Sequence, residues 1–166
     1  MSKNEPGIPI QNVHGTVMSV QGQGLLITGD PGVGKSELAL GLLDRGHRLV
    51  ADDAPLLEVR AGRLMGRPSP ELIGLLHIQG IGILDIRRTH GNPGVCPEIA
   101  LGLILHLDRK AAPLADEELL SGRWDRLAFA GISLPRMTLP SPGERNLPLL
   151  VETLVRHCFP CPNQWE

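Results

Sequence analysis

Tyrosine is absent from this chain of 166 residues, and its aromatic residues are only Phe129, Phe159, Trp124 and Trp165. Four scattered rings cannot build the stacking platform on which proteins hold unpaired bases. Charge of one sign is missing as well: 16 Lys and Arg stand against 18 Asp and Glu, a formal net charge of −2. Such a balance gives no electrostatic pull toward nucleic acid or an anionic membrane surface. No run approaches the roughly 20 apolar residues that cross a bilayer. The longest candidate, residues 99–107, is interrupted by His106 and flanked by Glu98 and Asp108. The opening Met1-Ser2-Lys3-Asn4-Glu5-Pro6-Gly7 lacks the apolar stretch of a secretory signal. Cysteines number 3, an odd count that builds no disulfide framework. Cys158 and Cys161 have C-x-x-C spacing, yet no second pair completes a zinc tetrahedron; they read as incidental, with a redox or partial metal site as the alternative. The expectation left by these absences is a soluble cytoplasmic domain.

What is present is enough for a core, since 42% of the chain is hydrophobic and the length is that of one ordinary domain. The 20 Gly and 15 Pro promise many turns. Residues 1–11 read as a polar tail, 12–158 as one domain and 159–166 as a C-terminal tail. Within the domain, residues 13–20 resemble a short strand, 21–24 a turn and 25–28 a buried strand. A loop over 29–35 leads into a helix over about 36–45, whose Leu38, Leu42 and Leu43 share one face and whose end is marked by Gly46. A second strand covers 48–51, and residues 55–59 and 63–66 bracket Arg60-Ala61-Gly62 as a β-hairpin. At least one strand lies within 74–86, another runs through 97–107, and 136–140 reads as a strand closed by Pro140. Residues 116–121 read as irregular or a short helical turn. Asn146 is placed to cap a final helix running to about Cys158. The strand–loop–helix–strand run over 25–51 is a βαβ unit, so the fold class expected is α/β: a P-loop-containing mixed sheet with β-hairpin decoration and a C-terminal helix.

The motif with most chemical content is Gly29-Asp30-Pro31-Gly32-Val33-Gly34-Lys35-Ser36, which matches G-x-x-x-x-G-K-[ST] between a strand and a helix. Glycines let the backbone curl until successive N–H groups point inward at phosphate oxygens, and the helix that follows adds its positive end. Lys35 would reach the β- and γ-phosphates, and the Ser36 hydroxyl would bind Mg²⁺. Only 3 lysines occur in the chain, Lys3, Lys35 and Lys110, and one of them falls where the pattern requires it. A second clue is Asp52-Asp53 at the end of the strand after the helix, the edge that faces the ligand crevice in a parallel sheet. Adjacent carboxylates there can divide labour, one orienting Mg²⁺ and the other accepting a proton from an incoming hydroxyl.

These runs, together with His14-Gly15 and Arg45-Gly46-His47-Arg48-Leu49-Val50-Ala51-Asp52-Asp53, resemble HPr kinase/phosphorylase, specifically its C-terminal catalytic domain. The resemblance continues more weakly through Gly80-Ile81-Gly82-Ile83-Leu84-Asp85-Ile86, Trp124-Asp125-Arg126-Leu127 and Pro142-Gly143-Glu144-Arg145-Asn146-Leu147. It implies the short form without the family's separate N-terminal domain, as in some Gram-negative bacteria. It also implies an ATP- and Mg²⁺-dependent kinase that phosphorylates a serine of the phosphocarrier HPr and can remove that phosphate by phosphorolysis. Carried over by position, Lys35 and Ser36 hold phosphate and metal. Asp53, with Asp52 beside it, accepts the proton and is a metal ligand with Ser36, while His14 and Arg126 match further active-site positions. The family's hexameric habit implies a homo-oligomer.

Two departures bear on that reading. The family's Glu-x-Arg-Gly is replaced by His77-Ile78-Gln79-Gly80, which removes a carboxylate ligand and a phosphate-binding fork. Near the C-terminus, Ser141 stands for an arginine of a segment linked to dephosphorylation, and Glu144 looks inserted. The kinase direction is therefore the leading expectation and the phosphorylase direction is left open. The alternatives are a catalytically weakened nucleotide-binding regulatory module and a small-molecule P-loop kinase, the latter disfavoured because no compact arginine cluster follows a lid-like insertion.

Overall fold

Eleven strands and three helices are present in a computed structural model describing residues 9–10, 13–113, 123–141, 143 and 145–159. The strands are β1 (Pro9–Ile10), β2 (Thr16–Val20), β3 (Gln23–Gly29), β4 (Arg48–Ala51), β5 (Leu56–Arg60), β6 (Arg63–Arg67), β7 (Leu75–Ile78), β8 (Gly82–Asp85), β9 (Ile99–Asp108), β10 (Trp124–Phe129) and β11 (Ile132–Pro140). The helices are α1 (Lys35–Asp44), α2 (Ile86–His90) and α3 (Leu147–Cys158). Nine strands form one mixed sheet in the order β1-β5-β6-β9-β3-β2-β4, with β11 parallel to β9 and β10 antiparallel to β11; β7 and β8 form a separate hairpin. Residues 116–121 and Cys161 lie outside the described residues. Pro9–Ile10, within the stretch read as a tail, pairs with β5.

Leu25, Leu26 and Ile27 read as an unbroken apolar run because β3 is buried on both faces. Alternate residues point to opposite sides of a strand. Leu25 and Ile27 of β3, Met18 of β2 and Leu103 and Leu105 of β9 therefore meet Leu38, Leu42, Val151 and Leu154 of α1 and α3. Val17, Leu26 and Ile104 turn the other way, against Leu57 and Leu64 of the β5–β6 hairpin and Leu134. The expected βαβ unit is present as a connection but not as a pair: β3 and β4 are both antiparallel to β2, so they run parallel with β2 between them.

Three two-residue turns recur, with φ positive at both central positions: Gln21-Gly22 (53° and 77°), Ala61-Gly62 (52° and 73°) and Ala130-Gly131 (47° and 84°). This backbone matches the right-handed twist of the strands that it joins. Helix α1 ends where Gly46 allows it: Gly46 N–H donates to the Leu43 carbonyl at 2.9 Å and His47 N–H to Leu42 at 3.1 Å, the double bond of a Schellman cap. Helix α3 begins at Asn146, whose side chain accepts from Leu149 N–H at 3.3 Å, and packs across α1 at Gly41. A Cβ added there would fall 2.4 Å from Pro148 Cγ. Behind this contact Glu152 is almost fully buried, yet it accepts from Arg45 Nε at 2.7 Å and Arg156 Nη2 at 2.7 Å, and His47 Nε2 lies 2.9 Å away.

Candidate functional site

Sheet direction decides which side chains meet. The parallel strands β3, β9, β11 and β4 all end at one edge, where antiparallel β2 begins. In the β3–β9 register Gly29 lies opposite Leu107, so the glycine-rich loop leaves the sheet beside residues 108–109. Asp52 and Asp53 follow β4, and His14 and Gly15 precede β2. The ligand crevice of an open sheet lies outside the carboxyl ends of its strands, and here that edge opens into a cavity of about 950 Å³.

The loop forms one wall. Gly29 tolerates no side chain, because a Cβ would sit 2.6 Å from the Leu107 carbonyl oxygen and 2.8 Å from Val33 Cγ1. Gly34 caps α1 with φ 109° and ψ 20°, a left-handed conformation that β-carbon sterics disfavour for other residues. Gly29, Asp30, Pro31, Gly32, Gly34, Lys35 and Ser36 all line the cavity. Val33 is the exception among the residues expected to hold phosphate: its side chain is buried in the core, and its carbonyl accepts from the buried Ser141 Oγ at 2.8 Å. Ser141 thus braces the loop and is not among the residues lining the cavity. The Lys35 ammonium folds back onto the loop, donating to Gly29 O at 2.7 Å and Asp30 O at 3.1 Å.

The carboxylates Asp52 and Asp53 differ in their circumstances. Asp52 is buried with both oxygens engaged, Oδ1 by Thr16 Oγ1 at 2.9 Å and Oδ2 by the His77 N–H at 3.0 Å. Asp53 is exposed, with φ at 67°, and its carbonyl accepts from Gly15 N–H at 2.9 Å. Both line the cavity with His14. His77, Ile78 and Gln79 reach it from the β7–β8 hairpin, and Arg109 reaches it from the end of β9. The sequence gives little sign of Arg109 as a site residue. The signal available was Asp108-Arg109-Lys110 directly after a strand, but its value depends on β9 pairing in parallel with β3.

Arg126 is not brought to this cavity. It sits on β10, one sheet edge away, where Nε donates to Ser133 Oγ at 2.9 Å and Nη2 to Ser133 O at 3.0 Å. Both contacts cross the strand pair of the hairpin that carries it.

Residues 8–160 match the family described as HPr Serine kinase C-terminal domain. The chain belongs to that family. An HPr kinase/phosphorylase of Limosilactobacillus reuteri (strain DSM 20016) is 36% identical over 146 residues, covering 87% of this chain and 45% of the relative. One from Azoarcus sp. (strain BH72) is 40% identical over 146 residues, covering 87% and 47%. The chain therefore spans about half the length of the curated relatives that it matches. The solved structure of the Hpr(Ser) kinase/phosphatase from Coxiella burnetii superposes with a TM-score of 0.80 at 37% identity, covering 88% of each chain. Likeness to that member of the HPr kinase family fixes the mixed α/β architecture with its C-terminal helix.

Proposed function

We propose that this chain is the catalytic part of an ATP- and Mg²⁺-dependent serine protein kinase acting on the phosphocarrier HPr. The observation that carries the reading is one cavity joining the glycine-rich loop, Lys35 and Ser36 to an exposed carboxylate, Asp53. Family membership supplies the substrate class, since the relatives are named HPr kinase/phosphorylase.

The donor set suits both groups. A curled loop of small residues ahead of a helix start accommodates phosphate oxygens. Ser36 and Asp53 offer hard oxygen ligands, as Mg²⁺ prefers, and Mg²⁺ ordinarily completes its shell with water and substrate phosphates. That habit agrees with the absence, among the described residues, of any group of three or more His, Cys, Asp or Glu able to hold a metal ion. When bound, the nucleotide supplies the transferable phosphoryl group and the metal neutralises charge on it. Lys35 exchanges its loop carbonyls for phosphate, the loop N–H groups orient the chain, and Asp53 takes the proton of the incoming serine hydroxyl. Asp52 holds the turn in place through Thr16 and His77, and His14 stands at the cavity rim beside Asp53.

Incubating the protein with Mg-ATP and HPr should add one phosphoryl mass to an HPr serine. No mass gain by HPr would overturn the kinase reading. The phosphorylase direction is tested separately by offering phosphoserine-HPr with inorganic phosphate and measuring pyrophosphate. A second reading, a nucleotide-binding regulatory module, is favoured by His77 and Gln79 lining the cavity, since neither carries a carboxylate or a guanidinium. Its signature is ATP that binds yet keeps its γ-phosphate after long incubation with HPr.

A further inference from the structure

Arg45, Arg60, Arg87, Arg136 and Arg156 each meet a carboxylate. Arg109 does not: it lines the cavity, and its recorded contact among the described residues is an Nη2 hydrogen bond to the Gly32 carbonyl at the crown of the loop. A Cβ added to Gly32 would lie 3.1 Å from that Nη2 and 3.5 Å from Gln79 Oε1, which places the guanidinium in the narrow space between loop and hairpin. Asp30, Glu37, Asp52 and Asp53 line the same cavity, yet none of them forms an ion pair with it. A guanidinium has five N–H donors in a planar fork suited to phosphate oxygens. One donor is used on the loop, and the fork stays at the cavity together with the Lys35 ammonium.

We propose that Arg109 is a second phosphate-binding cation of this site, contacting the phosphate chain of the nucleotide. The inference rests on the nucleotide-binding reading above. Two variants separate charge from loop bracing: R109Q keeps an N–H donor for the Gly32 carbonyl but removes the charge, and R109K keeps the charge. Calorimetry would measure binding of Mg-ATP and, as a phosphate chain without nucleoside, of Mg-tripolyphosphate, with thermal unfolding as a check on folding. Expected are an affinity loss of about ten- to hundredfold in R109Q, the range for a lost charge-assisted hydrogen bond, an equal loss for tripolyphosphate, and substantial recovery in R109K. Unchanged ATP affinity in R109Q overturns the proposal and makes Arg109 a loop brace. A loss for ATP without one for tripolyphosphate also overturns it, by placing the contact on the nucleoside. If the unsubstituted protein binds neither compound, the nucleotide reading falls as well, a result distinct from either.

Discussion

Asp52 and Asp53 are chemically identical neighbours with unlike surroundings, and their substitution separates support from chemistry. Both oxygens of Asp52 serve the Thr16 hydroxyl and the His77 N–H. Asp52→Ala strands those donors in a buried place and should cost about 1–3 kcal/mol of stability, read as a lower urea midpoint. Asp53 is exposed at the cavity, so Asp53→Asn should leave stability nearly unchanged. It should slow transfer to HPr about hundredfold or more, the usual loss on removing a proton acceptor. Equal loss of stability in both variants would refute this division. The loop and both aspartates were legible in the sequence because their spacing follows strand–helix–strand punctuation. Arg109 was not, since its place depends on strands separated by some 80 residues pairing in register (Gly29 with Leu107). Arg126 shows the converse: a motif position gives no warning that Ser133 across the hairpin takes its guanidinium.

Elements seat that site through α1, whose first turn carries Lys35 and Ser36 and whose far end is tied to α3. Gly41 is the point of closest approach, so Gly41→Ala, with its Cβ 2.4 Å from Pro148 Cγ, should destabilise the fold. The cost should be about 1–3 kcal/mol, as overpacking of a filled contact does, outweighing alanine's better helix propensity; chemical denaturation checks the sign. At the other end, hydrogen bonds from Arg45 and then His47 hold the Glu152 carboxyl down to about 2, from an ordinary 4.5. A depressed carboxylate pKa gives stability that is complete above the unfolded value and disappears as pH falls from about 4.5 toward about 2. Unfolding free energies across that window should fall less steeply in Glu152→Gln than in the unsubstituted protein. The α1 end was readable from Gly46 and the α3 start from Asn146, because caps are local chemistry. Strand β10 was missed although Ala130-Gly131 repeats the Ala61-Gly62 turn of a hairpin that was recognised. Its flanking strand, half exposed at the sheet edge, lacks the apolar run that reveals central strands.

At the scale of the whole molecule, the sheet works as a collector. Four parallel strands, β3, β9, β4 and β11, end together, and the antiparallel β2 starts at that same edge, so segments far apart in sequence deliver a loop, two carboxylates, a histidine and an arginine to one cavity. The apolar strands buried on both faces hold this geometry, while the loop stays poised, its lysine resting on its own carbonyls. On the proposed function, a bound phosphate chain would replace contacts within the loop by contacts to ligand, without rebuilding the core. A ligand that binds the folded state alone stabilises it by about 2.7 kcal/mol at a hundredfold excess over Kd. For a domain of this size that raises Tm by about 5–10 °C. Saturating Mg-ATP should produce this shift in the unsubstituted protein, and very little of it in Lys35→Ala. Differential scanning fluorimetry against a titration of Mg-ATP measures it directly, and a full shift in Lys35→Ala would mean that the nucleotide is held somewhere other than the glycine-rich loop.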